Sequence, residues 1–139
     1  TKIIDRTKNI IETMGFGLKL VEYGKYNQAE YKLALSQSVA AIFFSKSESQ
    51  GVALAEAWCM DVPTFVWNAK QQHPDFKDMV DSPAPYLSLA TGTLWDSPEQ
   101  LEQLLKRTGE FNRVYHPREW VLKNMTDEVC AKLFIQLTN

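Results

Sequence analysis

The chain has 139 residues, of which 45% are hydrophobic and 23% are charged, and this is the composition of an ordinary folded domain. Its formal net charge is −2 and no segment carries a basic stripe, which argues against binding to nucleic acid or to an anionic membrane surface. No apolar run reaches the length of a membrane span, and residues 1–11 contain no secretory h-region. We therefore expect one domain over residues 1–139, located in the cytoplasm.

The cysteines and histidines give no pattern of metal ligands. Cys59 and Cys130 lie within apolar helical patterns, so we expect buried, reduced thiols, in agreement with a cytoplasmic protein. His73 and His116 are isolated from cysteines and from paired carboxylates at ligand spacing. The sequence therefore predicts that the protein uses no metal ion.

Helical and extended patterns alternate through the first half of the chain. Residues 2–14 form an amphipathic helical pattern, and residues 18–23 are predicted to form a short strand. Asn27 is a suitable N-cap for a helix over residues 28–37. Residues 39–44 are a continuous apolar run, which is typical of a strand buried on both faces of a parallel sheet.

The same alternation continues after this run. A polar loop precedes a helix over residues 51–60, and residues 62–67 form the next apolar strand, with a proline near its start. The stretch from 68 to 85 is irregular, and a weak strand is predicted at residues 86–89.

The last third of the chain is predicted to be helical. Ser97 is the expected N-cap of a helix that Gly109 closes. Residues 117–137 continue the helical pattern with a break at residues 124–126, where Thr126 caps the final segment. The four tryptophans lie in or beside apolar segments, so we expect them to pack in the core and at its edges rather than to stack on a sugar.

This order of elements predicts an α/β fold with three layers, in which a mostly parallel, Rossmann-like sheet has helices on both faces. Ligands of such sheets collect at the carboxyl ends of the strands. Residues 45–51 follow the apolar strand 39–44, which we expect to be central, and they precede a helix N-terminus. Free backbone N–H groups and the helix dipole at that position favour an anion such as phosphate.

Two glutamates distinguish this part of the sequence. Glu56 is the one charged side chain in the helix over residues 51–60, whose composition is typical of a helix enclosed by protein. A carboxylate in that setting must be paired, protonated, or facing a cleft where donors such as ribose hydroxyls are supplied. Glu48 lies eight residues earlier, so the two carboxylates bracket a helix N-terminus suited to a diphosphate.

The eight-residue spacing alone is weak, because Glu22 and Glu30 are also eight apart. Its context is more specific, since the segment from Glu48 to Val66 reads E-S-Q-G-V-A-L-A-E-A-W-C-M-D-V-P-T-F-V. This segment resembles the E-x7-E signature of retaining GT-B glycosyltransferases, which usually reads E-G-F-G-L-x-x-x-E-A and is followed by Val-Pro and an apolar strand. The resemblance is close over about residues 21–67.

The resemblance implies a role for each matching residue. Glu56 would bind the ribose hydroxyls of a nucleotide, and Glu48 would lie against the donor sugar as the residue assigned to catalysis. Backbone amides at the start of the helix would face the phosphate and the sugar. The substrate-binding residues other than Glu56, taken from the motif loop and from a turn near the nucleobase, are Ser49, Gln50, Gly51, Val52 and Lys25.

The chain departs from the family pattern in two places. Residues 68–74 stand where the family has a glycine-rich loop and a further acidic residue, so contacts from that loop are not assigned. The family's phosphate-binding Arg and Lys lie just after the first strand of the domain, and this chain is expected to begin beyond that strand. No basic phosphate clamp is therefore assigned.

The resemblance implies that the chain is the C-terminal, donor-binding half of a GT-B enzyme. That enzyme would transfer a sugar from a nucleotide diphosphate donor with retention of configuration, without a metal or other cofactor. The N-terminal acceptor-binding domain would be missing, so we expect the chain to bind the donor without transferring the sugar. The alternatives are a nucleotide-sugar epimerase or a phosphorylase of the same fold, and a stand-alone flavodoxin-like binding or regulatory module.

Overall fold

The computed structural model describes residues 1–45, 50–70 and 82–138. In these ranges the strands are β1 (Ala41–Phe43), β2 (Thr64–Trp67) and β3 (Gly92–Trp95). The helices are α1 (Lys2–Thr13), α2 (Gln28–Ser36), α3 (Val52–Cys59), α4 (Pro98–Lys106), α5 (Phe111–Val114), α6 (Pro117–Asn124) and α7 (Asp127–Thr138), and a 3-10 turn spans Thr108–Glu110.

The three strands form one parallel sheet in the order β1-β2-β3. Ala41 lies opposite Thr64, and Thr64 lies opposite Gly92. The predicted α/β class with a parallel sheet is therefore confirmed. The prediction that residues 39–44 form a central strand is wrong for the described sheet, because β2 is central and β1 has a neighbour on one side. For the same reason β1 is half-buried rather than enclosed on both faces.

Helices lie on both faces of this sheet. Phe65 and Val66 are successive residues of β2, so their side chains point to opposite faces. Phe65 packs in one cluster with Ile11 of α1 and Leu101 of α4, whereas Val66 packs in another with Leu54 of α3. Helices therefore pack against both faces of the three-stranded parallel sheet.

A group of buried residues, here called the sheet core, fixes the spacing between α3, β2 and β3. It consists of Trp58, Thr64, Thr91 and Gly92. Trp58 is 1% exposed, and its indole Nε1 donates a hydrogen bond to Thr64 Oγ1 at 3.0 Å. A Cβ atom on Gly92 would lie 1.9 Å from the Thr64 carbonyl oxygen, so β3 approaches β2 closely only with glycine at this position. The burial of Trp58 and Trp95 confirms the packing role predicted for them.

Side-chain caps begin several helices where the sequence predicts them. Asn27 Oδ1 accepts from the Glu30 N–H at 2.8 Å, and Glu30 Oε2 accepts from the Asn27 N–H at 3.2 Å, which makes a complete capping box for α2. The Ser97 hydroxyl accepts at the start of α4, and the Thr126 hydroxyl accepts at the start of α7. These helix starts are confirmed because each depends on residues within one turn of the cap.

Residues 18–23 do not form the predicted strand. Leu20 is 61% exposed and Tyr23 is 94% exposed, and no described strand lies beside this segment. An extended segment gains stability as a strand only when a neighbour pairs with it and one face is buried. The sequence pattern of residues 18–23 is therefore not sufficient to form a strand.

The predicted strand at residues 86–89 is also wrong. The chain turns there, and the N–H groups of Thr91 and Gly92 both donate to the Ser88 carbonyl at 3.1 Å. The strand starts later, as β3, in residues that the sequence pattern did not identify. Helix α4 likewise ends at Lys106, before the predicted stop at Gly109, which lies in the 3-10 turn.

Both cysteines are exposed, so the predicted burial of their thiols is wrong. Cys59 ends α3 on a side that the neighbouring helices leave open, and α7, which carries Cys130, buries none of its residues against the described part of the chain. Within the described ranges, no helix is both long and apolar enough to span a bilayer.

Candidate functional site

The candidate site is built around the N-terminus of α3. The N-cap residue, Gly51, has φ 68° and ψ 49°, which is the left-handed conformation that glycine adopts without steric cost. Among the described residues no side chain caps this helix, and its first turn contains no acidic residue. The first backbone N–H groups of an α-helix have no partner within the helix, so this terminus offers donors and a positive dipole end to an anion.

Glu56 lies four residues after Val52 on the same helix. Its side chain is half-buried, and Oε1 accepts a hydrogen bond from Nε2 of Gln28 at 2.6 Å. Hydrogen bonds to ionised carboxylates are short and strong. Among the described residues, Glu56 forms no ion pair, so its partner is an uncharged amide. The expectation that α3 is fully enclosed is wrong, because Val52 is 62% exposed and Cys59 is exposed as well.

Helix α2 packs directly against α3 beside this carboxylate. Tyr31 is 7% exposed, and its hydroxyl donates to the Ala53 carbonyl at 2.7 Å. Burial raises the pKa of the Tyr31 hydroxyl, and the negative charge of Glu56 raises it further. We call the contact formed by Gln28, Tyr31, Ala53 and Glu56 the α2–α3 interface.

An aromatic pair continues the same surface toward the start of α2. The ring of Tyr26 lies 5.4 Å from that of Tyr31, centroid to centroid, with a tilt of 46°. Tyr26 is half-buried, and it immediately precedes the capping box that fixes the first residue of α2. The beginnings of α2 and α3 therefore meet in one region that carries aromatic, amide and carboxylate groups.

The structure brings some of the predicted site residues together. Gly51, Val52 and Glu56 share α3, and Gln50 precedes this helix as an exposed residue. Glu48 and Ser49 lie outside the described residues, as does His73. Their assigned roles stay predictions.

Lys25 is paired with a residue of its own turn. Its Nζ atom forms an ion pair with Glu22 Oε1 at 2.8 Å, and its side chain is 71% exposed. Among the contacts of the described residues, none joins Lys25 to Gly51, Val52 or Glu56. A role for Lys25 in phosphate binding would require it to leave Glu22, which is a small cost for an exposed pair.

Gln28 and Tyr31 are residues of this region that the sequence analysis did not identify as functional. Their contacts join positions far apart in sequence, 28 residues for Gln28 to Glu56 and 22 for Tyr31 to Ala53. Asn27 correctly predicted where α2 begins, but a cap gives no information about which helix lies opposite. The local sequence pattern therefore gave no indication that these two residues contact α3.

A concavity lies away from α3, between β3 and α4. It is an open groove of about 590 Å³, and its lining includes Thr93, Leu94, Gln100, Leu104 and Arg107. None of its lining residues belongs to α2 or α3. In the described part of the chain, no group of three His, Cys, Asp or Glu side chains is arranged to hold a metal ion.

Searches of the chain against protein-family models, curated proteins and solved structures give no match. The resemblance to retaining GT-B glycosyltransferases therefore stays a prediction. It depends on the motif from Glu48 to Val66 and on the position of that motif in an α/β domain.

Proposed function

We propose that this chain is the donor-binding domain of a retaining glycosyltransferase, in which it binds a nucleotide diphosphate sugar. The observation that carries the proposal is the position of Glu56 on α3, beside α2 and one turn inside a helix N-terminus that begins at left-handed Gly51. The parallel sheet with helices on both faces supports this proposal, because a Rossmann-like half of a GT-B enzyme has the same layers.

The dimensions of α3 suit the parts of such a ligand. Each helical residue advances about 1.5 Å, so the Cα of Glu56 lies on the order of 6 Å along the axis from that of Val52. A diphosphate at the N-terminus would accept from the free N–H groups of the first turn. A ribose beside the helix would then reach the carboxylate of Glu56 with its hydroxyl groups.

The first turn of α3 is compatible with a diphosphate. The first turn carries no acidic side chain, and among the hydrogen bonds of the described residues none from a side chain caps this helix. In the complete enzyme, such preorganised donors would stabilise the negative charge that develops on the leaving diphosphate. We assign Glu48 to the donor sugar and assign no protein base to the reaction.

Titration calorimetry of the 139-residue chain with uridine, guanosine and adenosine diphosphates tests this proposal. We expect one of them to bind, and Glu56→Gln to weaken that binding by about 1.5–3 kcal/mol, because a charge-assisted hydrogen bond to ribose is lost. Glu12→Gln is the matched control, since Glu12 is exposed on α1, and it should bind the nucleotide as the wild type does.

The variant Glu48→Gln distinguishes the roles that we assign to Glu48 and Glu56. We expect it to leave the affinity for the bare diphosphate nearly unchanged, because Glu48 is assigned to the sugar. In the complete enzyme the same change should lower turnover or weaken the choice of sugar. The proposal is wrong if no diphosphate binds, or if Glu56→Gln and Glu12→Gln bind equally well.

A further inference from the structure

Gln28 is the residue through which α2 reaches the Glu56 carboxylate. Its Nε2 atom lies 2.6 Å from Glu56 Oε1, and the two residues belong to the first turn of α2 and the middle of α3. Both are accessible at the surface, Gln28 as an exposed residue and Glu56 as a half-buried one. This contact is therefore open to a ligand that approaches the start of the two helices.

The backbone that carries Gln28 is held from both sides. Asn27, immediately before it, and Glu30, two residues after it, close the capping box of α2 with two reciprocal hydrogen bonds. One turn later, the buried Tyr31 ties α2 to the Ala53 carbonyl of α3. The amide of Gln28 is thus presented to Glu56 from a fixed position, which a flexible loop would not provide.

The chemistry of an amide donor differs from that of a cationic donor at this position. A lysine or arginine would orient Glu56 but would also compensate its negative charge. A glutamine orients one carboxylate oxygen and leaves the charge in place, so the carboxylate remains a strong acceptor for further O–H donors. The two hydroxyls of a ribose are a pair of such donors on adjacent carbons.

We propose that Gln28 is a positioning residue, which fixes the Glu56 carboxylate so that the site selects nucleotides with an intact ribose over their 2′-deoxy counterparts. This inference rests on the proposed function and adds to it a residue and a basis for selectivity. Gln28 is assigned no contact with the nucleotide itself; it acts through the orientation of Glu56.

The test compares nucleoside diphosphates with their 2′-deoxy forms on the wild-type chain and on Gln28→Met. The probe is whichever of uridine, guanosine and adenosine diphosphate binds the wild type, with its own 2′-deoxy form. We expect the wild type to bind the ribonucleotide on the order of tenfold more tightly than the deoxynucleotide, as for one lost hydrogen bond. Gln28→Met should lose most of this preference while its affinity for the deoxynucleotide stays nearly unchanged.

Two further variants control for folding and for chemistry. Gln28→Glu suits the first turn of a helix, where an acidic residue is favourable, but it places a like charge against Glu56. It should therefore fold and also lose the ribose preference. Gln136→Met, on the exposed face of α7, makes the same chemical change away from the site and should keep the preference. Thermal unfolding of each variant shows whether the fold is intact.

If the wild type binds the ribonucleotide and the deoxynucleotide equally well, the inference is wrong. If Gln28→Met and Gln28→Glu keep the wild-type ribose preference, or if each weakens both nucleotides equally, Gln28 does not position Glu56 and the inference is wrong. In that case the proposed function stands if the wild type binds the ribonucleotide and Glu56→Gln weakens that binding. If the wild type binds neither nucleotide, the proposed function and the inference are both wrong.

Discussion

The sheet core and the α2–α3 interface both involve α3, and they differ in how exposed their residues are and in the hydrogen bonds that they contain. In the sheet core, Trp58 and Thr64 are almost completely buried, and Gly92 leaves no space for even one additional carbon atom. In the α2–α3 interface, hydrogen bonds from Gln28 and Tyr31 reach across to α3, and Gln28 is exposed.

This difference indicates that different residues of α3 have different roles. The end of α3 near Trp58 anchors the helix to the sheet by close packing, which permits few changes. Where α3 meets α2, Tyr31 packs with Ala57 in a buried apolar cluster, and the exposed Gln28 and half-buried Glu56 retain unused hydrogen-bonding capacity beside it. A packed anchor at Trp58 and available donors and acceptors beside α2 are what a binding helix requires.

Gly92→Ala should give the largest effect and tests the packed side of the comparison. The new Cβ would lie 1.9 Å from the Thr64 carbonyl oxygen, so β2 and β3 must move apart. We expect the free energy of unfolding to fall by about 3 kcal/mol, as for strong overpacking. Urea denaturation measures this, with Gly109→Ala as the control because no atom lies within 4 Å of its added Cβ. Equal stability of the two variants would show that the sheet core is loosely packed.

Tyr31→Phe should give a smaller effect and tests the polar side. It removes the hydrogen bond to the Ala53 carbonyl, for which we expect a loss of about 1 kcal/mol in the free energy of unfolding at neutral pH. The exposed Tyr23 provides the control, since Tyr23→Phe should change stability by less than about 0.5 kcal/mol.

The same tyrosine predicts a dependence on alkaline pH. Because the pKa of Tyr31 is raised in the folded state, its contribution to stability is complete below about pH 10, the ordinary value for tyrosine. Above that pH the unfolded chain loses the proton while the folded chain keeps it, so stability falls as the pH rises. Tyr31→Phe should lose stability less steeply than Tyr23→Phe between about pH 9 and pH 11. Parallel slopes for the two variants would contradict the burial of an ionisable hydroxyl at the interface.

The sequence predicted those features that depend on neighbouring residues. Asn27, Ser97 and Thr126 each cap a helix through a residue within one turn, and all three were identified from local pattern. The unit from β1 through α3 to β2 was predicted because apolar runs separated by a helical segment have few other arrangements.

Features that depend on distant residues were not predictable in this way. Residues 18–23 have a strand pattern, but no described strand pairs with them. A glycine is unfavourable within a strand, so the local sequence does not indicate a strand at Gly92. Gly92 nevertheless belongs to β3, where the Thr64 carbonyl lies too close for a larger residue. The partner of Glu56 is Gln28, and this contact follows from how α2 packs on α3 rather than from the motif.

Amide NMR spectroscopy of the labelled 139-residue chain, titrated with the nucleoside diphosphate that it binds, locates the site most directly. The proposal places the diphosphate at the N-terminus of α3 and the ribose at Glu56. We therefore expect the largest shifts at the backbone amides of Gly51 and Val52 and at the side-chain amide of Gln28. Shifts centred instead on the groove between β3 and α4, at Thr93 and Arg107, or no shifts with any of the three diphosphates, would contradict the account.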